Sequence, residues 1–211
     1  MEICALMEKS PDRLLLVFDG FGGSALRGGA VPLPADGFTV WSVYDYRSED
    51  FPVEKLKTFR EIHLAAWSLG VWQAARVLRG VKLASAIALN GTLKPIDPEY
   101  GIAPEIFAAT RDNWSEAARL KFNRRIALPT EFASPRPVAD EQEELRLLFD
   151  RICGSAGTPE NIYKLAVIGT KDRIFLPENQ RAFWRTTDVR TIELDAPHFL
   201  WDKIESVEDI G

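Results

Sequence analysis

The chain has 211 residues, 46% of them hydrophobic and 27% charged. That is enough apolar material for a compact domain with a sizeable core, and it excludes a disordered chain or a small disulfide-stapled scaffold. The formal charge of −5, from 26 Lys+Arg against 31 Asp+Glu, argues against wholesale nucleic-acid binding and leaves room only for a local basic patch.

In chain order, Ile3 to Glu8 is expected to pair antiparallel at a sheet edge. Leu14 to Phe18 is a continuous apolar run, which predicts a strand buried on both faces. It ends in the glycine-rich loop Asp19-Gly20-Phe21-Gly22-Gly23. Phe38 to Tyr46, β-branched and aromatic, predicts a second strand, and Val53 to Phe59 a helix. Glu61 to Trp67 predicts a third strand. It breaks at Ser68-Leu69-Gly70 into a helix over Val71 to Arg79, stopped by Gly80. Leu83 to Leu89 predicts a fourth strand, ended by Asn90-Gly91, and Lys164 to Ile168 a fifth, ended by Gly169-Thr170. A helix over Pro177 to Arg185, a sixth strand over Val189 to Leu194 and a turn over Phe199 to Ile204 complete the series. Apolar strands alternating with helices imply an α/β fold, with a mostly parallel sheet covered on both faces.

Residues 95–160 break the alternation. They carry helical, charge-rich segments at Ala103 to Thr110, Ser115 to Ile126 and Asp140 to Ile152, punctuated by Pro129, Pro135 and Pro137. This predicts a helical cap inserted between the fourth and fifth strands of a single domain over 1–211. Cys4 and Cys153 stand in no CxxC pair and are too few for a disulfide framework or a zinc site. They are expected to be reduced and mostly buried, as in a cytoplasmic protein. The first residues lack the features of a signal peptide, and no apolar run approaches the roughly 18 residues of a membrane span. Neither a membrane nor a nucleic acid is expected as a partner.

Ala66-Trp67-Ser68-Leu69-Gly70 carries the most chemistry. A serine on a sharp strand-to-helix turn needs small residues two before and two after it, because the two backbones crowd there. Ala66 and Gly70 meet that need. The five-residue pattern is common by itself; an apolar strand before it and a helix after it give it weight. Serine needs a base, and the base needs an orienting acid. The chain has two histidines. His63 lies on the same strand as Ser68, roughly 16 Å away at about 3.3 Å per residue, and reads as structural. His198, in Asp195-Ala196-Pro197-His198-Phe199, follows the sixth strand at the same sheet edge as Ser68, where open α/β sheets bind ligands.

In the chain order Ser…Asp/Glu…His, Asp172 directly follows the fifth strand. Asp195 is too near His198 in sequence, Asp188 precedes a strand at the wrong edge, and Asn90 stands after the fourth strand, where some triads carry the acid. Ser68, His198 and Asp172 are therefore the expected nucleophile, base and acid. The oxyanion donors expected are the N–H groups of Leu69 and, in the loop after the first central strand, Phe21. That loop fails as a phosphate cradle. A dinucleotide motif needs glycine where Ala25 stands, and the Walker pattern needs lysine where Gly29 stands.

Together these residues resemble the α/β-hydrolase superfamily and, more narrowly, the BioG family of small esterases acting on pimeloyl-acyl carrier protein methyl ester. The resemblance rests on Asp19-Gly20-Phe21-Gly22, Ala-Trp-Ser-Leu-Gly-Val at 66–71, Gly-Thr-Lys-Asp-Arg-Ile at 169–174 and Pro-His-Phe at 197–199. It implies the same five site residues and an α/β-hydrolase fold with a small helical cap. It also implies a cytoplasmic serine carboxylesterase of biotin synthesis, with an acyl carrier protein as partner and no cofactor. Phe21 departs from a position where this group often has tryptophan, and Ala66 from the more common glycine.

The cap adds a hint of its own. Between Arg111 and Arg136 six basic residues face three acids, a local +3 in a −5 chain. Acyl carrier proteins are acidic, so Arg119, Lys121, Arg124 and Arg125 are expected carrier contacts, a solvated helix face being the alternative. Ala103 to Thr110, with Ile106 and Phe107, either lines an acyl channel or packs the core. A thioesterase or general acyl hydrolase of the same fold, or a silent binding module, are the rival readings.

Overall fold

The apolar run near the N-terminus forms β2 (Arg13–Phe18), in which Leu14 to Phe18 are at most 1% exposed. Burying each large side chain contributes about 1.5–3 kcal/mol, which is why this strand takes the centre. The computed structural model describes residues 1–31 and 37–204; the parts of the expected 1–211 domain at 32–36 and 205–211 lie outside it. β2 lies parallel to both β3 (Thr39–Tyr44) and β4 (Glu61–Trp67). Beyond β4 the sheet continues in parallel through β5 (Ser85–Leu89), β6 (Leu165–Gly169) and β7 (Arg190–Leu194). β1 (Glu2–Glu8) pairs antiparallel with β3 at the other edge, giving the order β1-β3-β2-β4-β5-β6-β7.

The chain runs outward from β2 to β3, then crosses back to β4 on the other side of β2. That reversal is a switch point, where the loops leaving neighbouring strands diverge and open a crevice at the C-terminal edge. The loop after β2 and the turn after β4 both lie there.

α3 (Leu69–Val77) begins two residues earlier than the periodicity predicts, with Ser68 alone separating it from β4. Residues Leu69 to Ala75 of this helix are buried. α1 (Ala25–Gly28), unforeseen in the sequence, and α2 (Val53–Leu56) are single turns. α7 (Pro177–Trp184) buries Phe183 and Trp184. A 3-10 turn over Trp201–Lys203 forms the last described turn.

Between β5 and β6 lie α4 (Pro104–Asp112), α5 (Glu116–Ile126) and α6 (Val138–Gly154). Ser115 caps α5 by accepting the Ala118 N–H at 3.3 Å, and Ala127 ends it in the left-handed region, φ 60°. Phe107 of α4 and Phe149 of α6 meet with ring centroids 5.9 Å apart. Buried ion pairs seat this cap on the sheet: Arg136 reaches Glu144 at 2.6 Å and Asp45, just past β3, at 2.9 Å. Burial pushes the Glu144 carboxyl up, with the Arg136 charge opposing.

The expectation of buried cysteines is corrected. Cys4, on the edge strand, is half-buried, and Cys153, in the last turn of α6, is exposed; both are free thiols. A sheet edge is covered from one side only, and the last turn of a helix is open to solvent. Among the described residues no helix is long and apolar enough to cross a membrane.

Candidate active site

Ser68 has φ 58° and ψ −128°, a conformation that costs a residue with a side chain about 1–3 kcal/mol. Its N–H donates to the Leu89 carbonyl at 2.9 Å. Gly70 shows why the elbow demands small neighbours: a Cβ there would run into the backbone carbonyls of Asp19 and Phe18. The tight reversal lifts the serine hydroxyl off the sheet edge into the crevice.

His198 accepts the Ser68 hydroxyl at Nε2 over 2.9 Å, and its Nδ1 lies 2.8 Å from Asp172 Oδ2. Both side chains are at most 1% exposed. The Asp172 carboxylate is an acceptor on every side. Oδ1 takes the Ile174 N–H (2.8 Å) and the Phe175 N–H (3.1 Å), and Oδ2 also takes the Gln180 side-chain amide (3.1 Å). A carboxylate so occupied leaves Nδ1 to donate, so Nε2 is the acceptor facing Ser68. The imidazole rests near Trp67, with centroids 5.0 Å apart, and lies parallel to the Phe175 ring at 6.1 Å.

The loop carrying His198 is held from behind. Trp67 Nε1–H donates to the His198 carbonyl at 2.8 Å. Asn90 donates to the carbonyls of Pro197 (3.0 Å) and His198 (2.9 Å) and accepts the Gly169 N–H (2.6 Å). One fully buried amide thus ties the ends of β5 and β6 to the histidine loop. The sequence marked Asn90 only as the end of a strand, and Gln180 only as part of a helix. Asn90 faces partners 79 to 108 residues away, a relation that residue spacing does not carry, and Gln180 folds back onto Asp172 and Phe175 of the preceding loop, which helix periodicity does not mark.

On the opposite side, the loop after β2 is shaped by Asp19 and Arg27, both nearly fully buried. Asp19 Oδ1 accepts the Gly20 N–H at 2.8 Å. Arg27 donates to the carbonyls of Phe21 (2.9 Å) and Gly22 (2.7 Å) and lies 3.8 Å from Asp19 Oδ1. Burial raises the Asp19 carboxyl above its ordinary range, with the Arg27 charge opposing. The peptides on either side of the Phe21 N–H are thereby pinned. A Cβ on Gly20 would sit 3.0 Å from Ser68 Cβ, so glycine lets this loop close on Ser68. Among the described residues neither the Phe21 nor the Leu69 N–H donates to another protein group.

Ser68, Phe21 and Leu69 form the floor of a cavity of about 250 Å³. The cap roofs it with Ile106, Phe107, Trp114 and Phe122, and Lys121, Arg125 and Arg173 add positive charge to the lining. Phe21 packs edge-on against Trp114, centroids 4.8 Å apart, so the loop after β2 and the cap share one aromatic cluster. Buried Glu141 of α6 accepts the Trp114 indole N–H at 3.1 Å.

Comparison with known proteins places this geometry. The family described as pimeloyl-ACP methyl esterase BioG matches residues 2–210. The chain belongs to the BioG family. The crystal structure of BioG from Haemophilus influenzae superposes with a TM-score of 0.90 at 31% identity, covering 100% of this chain and 99% of that one. An uncharacterised protein of the same organism is 33% identical over 198 residues, 91% of each chain. A Bacteroides fragilis malonyl-[acyl-carrier protein] O-methyltransferase is 38% identical over 165 residues; the match takes in 74% of this chain and 34% of that longer protein. At 16% identity and a TM-score of 0.64, the type II thioesterase BorB shares the fold. The α/β-hydrolase fold and a hydrolase of esterase type follow for this BioG member.

The other sequence candidates of this BioG member lie elsewhere. His63 bridges Ser85 Oγ (2.8 Å) and Glu61 (2.9 Å) on the sheet. Asp195 is exposed and pairs with Lys171 at 2.7 Å. Of the basic cap residues, Arg119 faces inward to Glu116 (2.6 Å), Glu141 (3.6 Å) and the Arg136 carbonyl (2.8 Å). Lys121, Arg124 and Arg125 are exposed. Ile106 and Phe107 of the expected helix line the cavity, and Phe107 is also buried in the core.

Proposed function

We propose that this BioG member is a cytoplasmic serine esterase that removes the methyl group from pimeloyl-acyl carrier protein methyl ester in biotin synthesis. The observation that carries the reading is the unbroken hydrogen-bonded series Ser68–His198–Asp172 at the floor of an apolar cavity. In the proposed cycle His198 Nε2 takes the hydroxyl proton as Ser68 Oγ attacks the ester carbonyl. The carbonyl oxygen gains charge and is received by the N–H groups of Phe21 and Leu69. His198 then returns the proton to the leaving methoxide, which departs as methanol. Water, deprotonated by His198, attacks the acyl-enzyme, and the acid product leaves with Ser68 restored. Asp172 holds the imidazole tautomer and stabilises the imidazolium throughout.

The cavity supports an acyl chain as the group bound. Its 250 Å³ lies near the small end of ligand pockets, roughly 300–1,000 Å³, and its walls are mostly apolar. The methyltransferase relative is named for O-methylation of malonyl-acyl carrier protein, and a methyl ester on a carrier-bound acyl group is what this site is proposed to cleave. The test is hydrolysis of pimeloyl-acyl carrier protein methyl ester by wild type beside Ser68→Ala. Turnover is expected to fall by about 10⁴-fold or more in the variant. Turnover surviving in Ser68→Ala overturns the nucleophile. Hydrolysis confined to small free esters, or faster on acyl thioesters, overturns the substrate.

A further inference from the structure

Glu141 is a buried carboxylate with no part in the proposed cycle. It stands in the first turn of α6, and its side chain is 1% exposed. Burying a carboxylate is costly unless its oxygens are engaged. Oε2 accepts the Trp114 indole N–H at 3.1 Å and lies 3.6 Å from Arg119 Nη1, which offsets its charge. Oε1 lies 3.7 Å from where a Cβ on Gly22 would stand, so the carboxylate also packs against the residue after Phe21. Three segments distant in the chain thus meet at one side chain: the loop after β2, the α4–α5 junction and α6.

Trp114 sits in that junction, between Asn113, which ends α4, and Ser115, which caps α5. Its buried ring meets Phe21 edge-on and lies 5.6 Å from the Phe122 ring, centroid to centroid. The outer torsion of an aromatic side chain has a broad preference, so packing alone leaves the ring some freedom to turn. A hydrogen bond from the ring edge to a fixed carboxylate removes that freedom. The held indole then fixes the Phe21 side chain. From the other side Arg27 grips the Phe21 carbonyl at 2.9 Å. Bond angles at Cα are stiff, so with the carbonyl and the side chain both held, the direction of the Phe21 N–H is set. That N–H is a proposed oxyanion donor, and a donor stabilises charge only where it is aimed at the oxygen that gains it.

We infer that Glu141 is a positioning residue for the proposed oxyanion site: its hydrogen bond to Trp114 locks the ring against which Phe21 packs, and so aims the Phe21 N–H at the substrate carbonyl oxygen. Glu141 does not line the cavity and makes no hydrogen bond to Ser68, His198 or Asp172. It acts through Trp114 and Phe21. The cap is then a wall of the oxyanion site as well as a roof over the cavity. This inference rests on the proposed serine mechanism with Phe21 as a donor.

The experiment compares Glu141→Leu, Glu141→Gln and Trp114→Phe with wild type on pimeloyl-acyl carrier protein methyl ester, and measures inhibition of each by an alkyl trifluoromethyl ketone. The ketone probes the donors directly: Ser68 Oγ adds to its carbonyl carbon, the hydroxyl proton passes to His198, and the ketone oxygen becomes a lasting oxyanion. Glu141→Leu removes the acceptor. It is expected to lower kcat by about 10- to 100-fold with KM within about 2-fold, and to weaken the ketone by the same factor as kcat. Glu141→Gln keeps an oxygen for the indole and is expected to stay within about 3-fold of wild type in both. Trp114→Phe keeps a ring without the N–H and is expected to match the loss in Glu141→Leu, the double variant falling no more than about 2-fold below the worse single. It carries the same test should Glu141→Leu fail to fold. An unchanged kcat, a change confined to KM, an undiminished ketone affinity, or Glu141→Gln as impaired as Glu141→Leu overturns the inference while Ser68-dependent turnover stands. Turnover that survives in Ser68→Ala, or none by wild type, overturns the proposed function and the inference with it.

Discussion

Around His198 the supports are neutral amides and indole; around Phe21 they are buried charges. Asn90, Gln180 and Trp67 position the imidazole and its aspartate through hydrogen bonds from uncharged groups. The loop after β2 is shaped by Arg27 and Asp19, and the cap behind it is seated by Arg136, Asp45 and Glu144. The difference has a physical sense. In the proposed cycle the imidazole gains and loses a proton, and neutral supports leave that change to Asp172 alone. In the same proposed cycle the loop after β2 has to present N–H groups at a fixed place, and a guanidinium gripping two consecutive carbonyls does this directionally. Buried ion pairs carry a large desolvation cost, so this wall is more sensitive to loss of one partner and to pH.

The comparison is tested most strongly by Arg27→Met. It leaves the Asp19 carboxylate buried without its cation and two carbonyls without donors. A loss of about 3–5 kcal/mol in unfolding free energy is expected at neutral pH, with a fall in kcat. Because burial already raises Asp19, protonation relieves the stranded charge, so the loss relative to wild type shrinks as the pH falls. Denaturant titrations at pH 5 and pH 8 check this; an equal loss at both breaks the charged half of the comparison.

Asn90→Ala comes next. It strands the carbonyls of Pro197 and His198 and the Gly169 N–H, an expected loss of about 2–4 kcal/mol. Displacement of the imidazole is expected to lower kcat by about 10- to 100-fold. No ionisable group is removed, so this loss is expected to be level from pH 5 to 8, and a steep pH dependence breaks the neutral half.

The smallest effect belongs to Asp45→Asn. Burial works against the Asp45 charge, but hydrogen bonds from Arg47 and the charge of Arg136 outweigh it and hold the carboxyl below the ordinary 3.8. A group depressed on folding stabilises the protein above its unfolded value and loses that contribution as the pH falls through the folded one. Asp45→Asn is therefore expected to cost about 1–2 kcal/mol at neutral pH, discounted for partial solvent screening, and almost nothing well below pH 3.8. Thermal melts across that range measure it.

Much of the site was legible in the chain itself. A five-residue apolar run, a serine between small residues and an acid and a histidine each just after a strand place Ser68, Asp172 and His198 at one sheet edge, because every parallel strand delivers its C-terminal end there. Periodicity starts the helix at Val71, two residues past its true start, since the chain reverses through Ser68 alone in a conformation that periodicity does not register. Asn90 and Gln180 went unread as supports. Asn90 acts on residues 79 and 108 positions away, and an amide carries no local signature of a distant carbonyl.

The cap shows the same boundary most sharply. By sequence, Arg119 and Arg124 are equivalent cations on one helix. In the folded chain Arg119 turns toward Glu116 and Glu141, whereas Arg124 is exposed and among the described residues has no carboxylate partner. Residue types, their alternation and their place relative to strand ends determined the sheet, the elbow and the three residues of the hydrogen-bonded series, because those depend on local backbone preference and the burial of contiguous apolar runs. Which charges are neutralised, which carbonyls are gripped and where the cavity opens was decided by tertiary packing alone, since each depends on partners brought from distant parts of the chain into one low-dielectric place.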